Sequence, residues 1–130
     1  MKYMLLMQAG GQGWEESLGT WTQDDLKAMV DFMHELDQEL ENAGELVDAQ
    51  GLADPSHGKI VQARDDGEPV ITDGPFPESK EVLAGYWIID VPSMDRAVEI
   101  AARISAQPGR GGSPANTPVE IRPLGQAPTV

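Results

Sequence analysis

Residues 83–91, LAGYWIIDV, constrain this chain more than any other stretch. Tyr, Trp and two Ile packed into so short a span are what a core β-strand carries. Such a strand needs neighbours to take up its backbone hydrogen bonds and other elements to cover its side chains. Residues 2–9, KYMLLMQA, supply a second strand of the same kind. There Tyr3, Leu5 and Met7 alternate with Met4 and Leu6, so both faces are apolar, as suits a central strand covered on both sides.

Two helical segments can provide cover. Thr22-Gln23-Asp24-Asp25 has the form of an N-cap followed three residues later by an acid. Leu26, Met29, Val30, Met33, Leu36, Leu40 and Ala43 then recur at helical spacing, and Gly44 supplies the stop. Asp37 falls inside that apolar stripe, between the directions of Met33 and Val30, whereas His34 lies at its polar flank. A carboxylate on an apolar face needs either water or a partner, so Asp37 is read both as a stripe edge reaching solvent and as a pocket residue. The second helix follows the Pro92-Ser93 cap, with Met94, Ala97, Val98, Ala101 and Ile104 as its expected buried face.

Further strands are expected at residues 45–52, after the first helix, and at 119–124, near the end of the chain. Residues 59–64 and 69–72, joined through Asp65-Asp66-Gly67-Glu68, form a hairpin that looks peripheral. The order strand, helix, strand, hairpin insertion, strand, helix, strand is a βαββαβ plan in an α+β fold. An antiparallel sheet then carries both helices on one face. The other face, bearing the Tyr86, Ile88 set or the Trp87, Ile89 set, is left bare, and sheet-against-sheet homodimerisation would cover it.

Composition sets the outer limits. The 130 residues fit one domain, spanning 1–124, with 125–130 as a loose tail. Nine Lys and Arg against 22 Asp and Glu give a net charge of −13, which disfavours nucleic acid and anionic lipid as partners. Cysteine is absent, which excludes disulfides and thiolate chemistry and is compatible with a reducing cytoplasm. The apolar run from Tyr3 to Met7 is too short for a signal peptide or a membrane span, so a cytoplasmic protein is expected. With His34, His57 and scattered acids alone, no ligand-spaced pair exists, and neither a metal site nor a cofactor is expected.

Three loops stand out. Gly10-Gly11-Gln12-Gly13 follows the first strand but lacks both the Rossmann pattern and the Walker lysine, so it reads as a flexible loop; Trp14 and Trp21 beyond it are expected to pack over the core edge. Residues 106–118, AQPGRGGSPANTP, read as irregular and mobile, with Arg110 in solvent. The third is 70–81, VITDGPFPESKE, where Asp73-Gly74-Pro75 is a strong turn signal. Turn chemistry explains Asp73, Gly74 and Pro75, with Phe76 as a core plug. It explains the ordered charges Glu78, Lys80 and Glu81 less well, and a lysine flanked by acids could hold a pocket carboxylate in place.

Several of these segments together resemble a known family: Met1-Lys2-Tyr3-Met4-Leu5-Leu6, Thr72-Asp73-Gly74-Pro75-Phe76 with Glu78 and Lys80-Glu81, Gly85-Tyr86-Trp87-Ile88-Ile89-Asp90-Val91, and Val119-Glu120-Ile121-Arg122-Pro123-Leu124. They are similar to the YCII-related family in its DGPF-domain branch, across nearly the whole chain. The resemblance implies a ferredoxin-like fold of the dimeric α+β barrel type and no established activity. It also implies a regulatory setting, since relatives are often encoded beside extracytoplasmic-function sigma factors. Many relatives carry an acid and a tryptophan in the second helix, where this chain has Val98-Glu99-Ile100.

Better-understood members of the wider family suggest a His/Asp pair near a pocket, which here would be His34 with Asp73. A neutral histidine exchanges protons near pH 7, and a neighbouring carboxylate would fix its tautomer. A surface histidine is the other reading of His34. Two functions therefore stand. One is a cofactor-independent acid/base enzyme acting on a small molecule from His34 and Asp73, in a cleft drawing on Tyr3, Asp37, Phe76, Glu78, Lys80 and Trp87. The other is a non-catalytic dimeric ligand-binding or regulatory module.

Overall fold

The computed structural model describes residues 1–129. Six strands and three α-helices follow in chain order: β1 (Lys2–Ala9), α1 (Glu15–Leu18), α2 (Gln23–Asn42), β2 (Leu46–Gly51), β3 (Lys59–Gln62), β4 (Val70–Asp73), β5 (Val82–Asp90), α3 (Met94–Ser105) and β6 (Val119–Pro123). The four apolar strands form one antiparallel sheet in the order β2-β5-β1-β6. The two central places fall to the two sequences that are apolar on both faces. β3 and β4 pair only with each other, as a separate two-stranded hairpin.

Register decides which side chains are buried. Leu5 stands opposite Trp87 on β5 and Ile121 on β6, while Tyr3 stands opposite Ile89. These residues share the inner face, and α2 and α3 both cover it. Leu36 and Leu40 from α2 meet Ala97, Ile100, Ala101 and Ile104 from α3 in one core. Each large aliphatic side chain fully buried in this way contributes roughly 1.5–3 kcal/mol. The outer face carries Met4, Leu6, Tyr86 and Ile88, all only half-buried. Of the two sets weighed from sequence, Tyr86 with Ile88 is the one left bare.

Thr22 caps α2 by accepting the Asp25 N–H at 3.1 Å, and Ser93 caps α3 by accepting that of Arg96 at 3.3 Å. The buried face of α3 differs from its expected one: Ile100 is fully buried, whereas Met94 and Val98 are exposed. Ala97, Ala101 and Ile104 centre the stripe. Ile100 lies about 60° to one side of Ala97, and Val98 about 100° to the other, beyond the sheet's reach. Arg96 ties this helix to the sheet, since its Nε and Nη2 donate to the two carboxylate oxygens of Glu45, each at 2.8 Å. Hydrogen bonding from Arg96 holds the Glu45 carboxyl below its usual range.

Two segments outside the expected helices and strands are organised, among them the 106–118 loop whose composition reads as irregular. Trp14 to Trp21 contains α1, and residues 106–118 are folded back by Gly109 N–H to Ser113 O at 2.7 Å and Ala115 N–H to Gln107 O at 2.8 Å. Arg110 donates to Thr20 and so pins this second loop to the first.

Candidate functional site

The end of β1, the tryptophan segment, α2 and the 106–118 loop converge on one cavity of about 480 Å³. Its wall is apolar, built from Met7, Met29 and Met33 with Trp14, Leu18, Trp21 and Val30. His34 stands at the rim and Gln107 in the wall, with Gln8 and Thr117 as the other polar members. A volume of this size matches the range that small organic molecules occupy.

The cavity exists because of local irregularity. The register of β1 against β5 shifts between Met7 and Gln8, which pair with Gly85 and Leu83, so Ala84 stands as a bulge. Ala84 lines this cavity and also a smaller one of about 160 Å³. The smaller cavity shares Met7, Met33 and Ala84 with the first and ends at Asp37 and Trp87. There the Trp87 indole N–H donates to Asp37 Oδ1 at 2.9 Å, which supplies the partner that a carboxylate within the apolar stripe requires.

The outer wall is held from far away in sequence. α1 has no side-chain cap of its own. Instead Asp54, only 5% exposed, accepts the backbone N–H groups of Trp14 at 2.6 Å and Glu15 at 2.9 Å on Oδ2, and that of Ser56 at 3.0 Å on Oδ1. Donation from Ser56, Glu15 and Trp14, in that order of importance, holds the Asp54 carboxyl well below the usual carboxylate range. Trp14 and Leu18 are therefore fixed in the cavity wall by a residue that does not itself line the cavity.

The Asp73-Gly74-Pro75-Phe76 stretch works as a buckle. Gly74 N–H donates to Gly58 O, Phe76 N–H to Gly11 O and Gly11 N–H to Ser79 O, at 2.9, 2.9 and 3.0 Å. This ties the junction of β4 and β5 to the glycine loop after β1. A Cβ on Gly74 would stand 1.7 Å from Pro55 O, and one on Gly11 1.8 Å from Phe76 O. Both positions need glycine because backbone passes against backbone there.

The residues singled out from sequence thus separate. His34 lines the large cavity; Asp37 and Trp87 line the small one; Tyr3 is buried in the core. Asp73, at the end of β4, is exposed and paired with Lys59, and it shares neither a hydrogen bond nor a cavity with His34. Phe76 belongs to the buckle, beside Gly58, and not to the core. Glu78 is exposed, and Lys80 borders a different depression with Glu81, Gln8 and Glu120. Trp14, Trp21 and Gln107 were not singled out as site residues. Two tryptophans just ahead of a helix that carries Met29 and Met33 were the available signal for the first two.

Among the described residues no group of three or more His, Asp or Glu is placed to hold a metal ion. No helix there is long and apolar enough to cross a membrane.

Fold and cavity together define a mixed α+β domain with an antiparallel sheet, two covering helices and an apolar pocket at one end. The chain belongs to the YCII-related domain family, whose model matches residues 1–119. It is also similar to an uncharacterized protein of Rhizobium meliloti (strain 1021). The two are 27% identical over 110 residues, covering 85% of this chain and 84% of that protein. The family is one of uncharacterized function, and the relative carries no assigned activity.

Proposed function

We propose that this domain binds a small, largely apolar organic molecule in the cavity between α2 and the tryptophan segment, as a ligand-binding module. The observation that carries this reading is the lining itself: three methionines and two tryptophans around about 480 Å³, with polar groups limited to a few positions. The scaffold is read as ferredoxin-like, because the order β2-β5-β1-β6 with both helices on one face is that of a split βαβ arrangement. The half-buried outer face of Met4, Leu6, Tyr86 and Ile88 supports a homodimer packed sheet to sheet, as in a dimeric α+β barrel. Sedimentation of the protein as a monomer at tens of micromolar would remove the dimer from this reading.

The neutral fluorophore N-phenyl-1-naphthylamine tests the pocket. Wild type is expected to bind it with enhanced fluorescence. Val30→Trp, which fills the cavity from an exposed rim position, is expected to weaken binding at least tenfold with the melting temperature little changed. Equal binding by the two proteins places the ligand elsewhere and overturns the proposal.

A second reading, an acid/base enzyme, is favoured by one observation. His34 is the one titratable side chain lining the large cavity among the described residues. Screening small carbonyl and aromatic compounds for turnover tests it. A product formed by wild type and equally by His34→Ala would sink it.

A further inference from the structure

Gln107 is the buried polar residue of this cavity wall, and its bonding is incomplete. It is 6% exposed, and its carboxamide Nε2 donates to the Met7 sulfur at 3.2 Å, a weak acceptor. Its Oε1 is buried out of reach of a water-sized molecule as the side chain stands, and it has no hydrogen-bond partner among the described residues. A buried acceptor left bare forfeits its hydration without replacement, and such groups are few in folded proteins. Reversing the amide would not help, since the oxygen would then face the sulfur and the NH₂ would be left unpaired.

The backbone holds the side chain where it is. Gln107 N–H donates to Ile104 O at 3.1 Å, and Gln107 O accepts from Ala115 N–H at 2.8 Å, so the residue is fixed at both its peptide groups. The terminal torsion of the carboxamide is the softest of its side-chain torsions, and turning it brings the oxygen toward a guest at the cost of no more than the weak contact with the Met7 sulfur.

We infer that Gln107 selects the ligand by accepting a hydrogen bond through Oε1, so that the pocket takes neutral apolar molecules bearing a hydroxyl, such as phenols and alcohols. This inference rests on the pocket-binding reading above. A hydrocarbon leaves Oε1 as bare as it is now. A carboxylate brings a second acceptor to a wall with no Lys or Arg, in a chain of net charge −13. A hydroxyl meets the oxygen with a donor while the rest of the molecule lies against the methionines and tryptophans.

Calorimetric titration with 2-naphthol and 2-methoxynaphthalene tests this, because the two probes have nearly the same shape and only the first donates a hydrogen bond. Wild type is expected to bind 2-naphthol about tenfold or more tightly than the ether. Gln107→Met, similar in volume and apolar, is expected to bind both equally and to melt no lower than wild type, since it removes the unpaired group. Equal binding of both probes by wild type overturns the selector role and leaves the pocket reading intact. A preference for naphthol that persists in Gln107→Met also overturns it. Failure of both probes to bind wild type overturns the pocket reading along with it. Gln107→Leu serves the same comparison should Gln107→Met fail to fold.

Discussion

Gly74→Ala is expected to be among the most destabilising single-methyl changes available to this chain, lowering folding stability by about 3 kcal/mol or more. The added carbon would stand 1.7 Å from Pro55 O and 2.8 Å from Pro55 C, well inside any van der Waals contact. Neither atom can swing away as a flexible side chain would. Pro55 belongs to the short 3₁₀ turn Pro55–His57, whose Gly58 carbonyl accepts the Gly74 N–H at 2.9 Å. Relief of the clash must open this contact and loosen the buckle that follows it. Urea denaturation of wild type and variant measures the effect. A loss below about 0.5 kcal/mol, the level of an ordinary surface substitution, would mean that the two backbones do not approach as described. Close passage of chain against chain thus explains glycine at 11 and 74, while Gly13 is required by its positive φ and by the Asp54 carboxylate beside it.

Asp54→Asn is expected to lower the melting temperature by roughly 10 °C at pH 7, with most of the local damage in α1. An asparagine oxygen can accept part of what the carboxylate accepts, but its NH₂ group points donors at donors among Trp14, Glu15 and Ser56. The pH dependence has a definite sign. The folded carboxyl lies well below its usual range, so its contribution is complete above the unfolded value of about 3.9 and is lost as pH falls through the folded value. Melting curves of wild type and variant are therefore expected to differ most above about pH 5 and to converge in strong acid. A pH-independent gap would show that the charge of Asp54 is not what holds the turn. Trp14 adds a second readout: its emission is expected to shift to longer wavelength in the variant, because the segment that seats it against the cavity is no longer capped.

The elements that could be read from sequence are those whose physics is local. Alternation in 2–9 and the aromatic run in 83–91 specify the central strands. The Thr22 and Ser93 caps and the spacing of apolar residues specify the helices behind them. The face expected for α3 includes Val98 and omits Ile100 because spacing alone does not locate the centre of a stripe; packing with Ile104 and the sheet does. Asp37 was legible as an anomaly, but its resolution by the Trp87 indole spans 50 residues. The candidate site was the least legible part. Asp54 reads as a turn former, and its bond to Ser56 fits that. Its hold on Trp14, 40 residues away, leaves no local trace. Gln107 sits in a Pro- and Gly-rich run that looks like solvent-exposed loop, yet it is buried where 106–118 folds back on itself and against Met7. His34 and Asp73 could be paired on chemical grounds, but their elements run to different parts of the molecule, with Asp73 on a hairpin whose every strand residue is exposed.

The bulge at Ala84 joins two matters that are usually settled separately. Its carbonyl accepts the Leu52 N–H at 2.8 Å, yet it has no partner in the β1 ladder, and its side chain lies where the large and small cavities meet. Together with Met7 and Met33, Ala84 forms the boundary shared by the wide chamber walled by tryptophans and the narrow one lined by Asp37. The misalignment of two strands by one residue thereby sets a common partition, and a side chain bulkier than alanine on it would take room from both cavities at once.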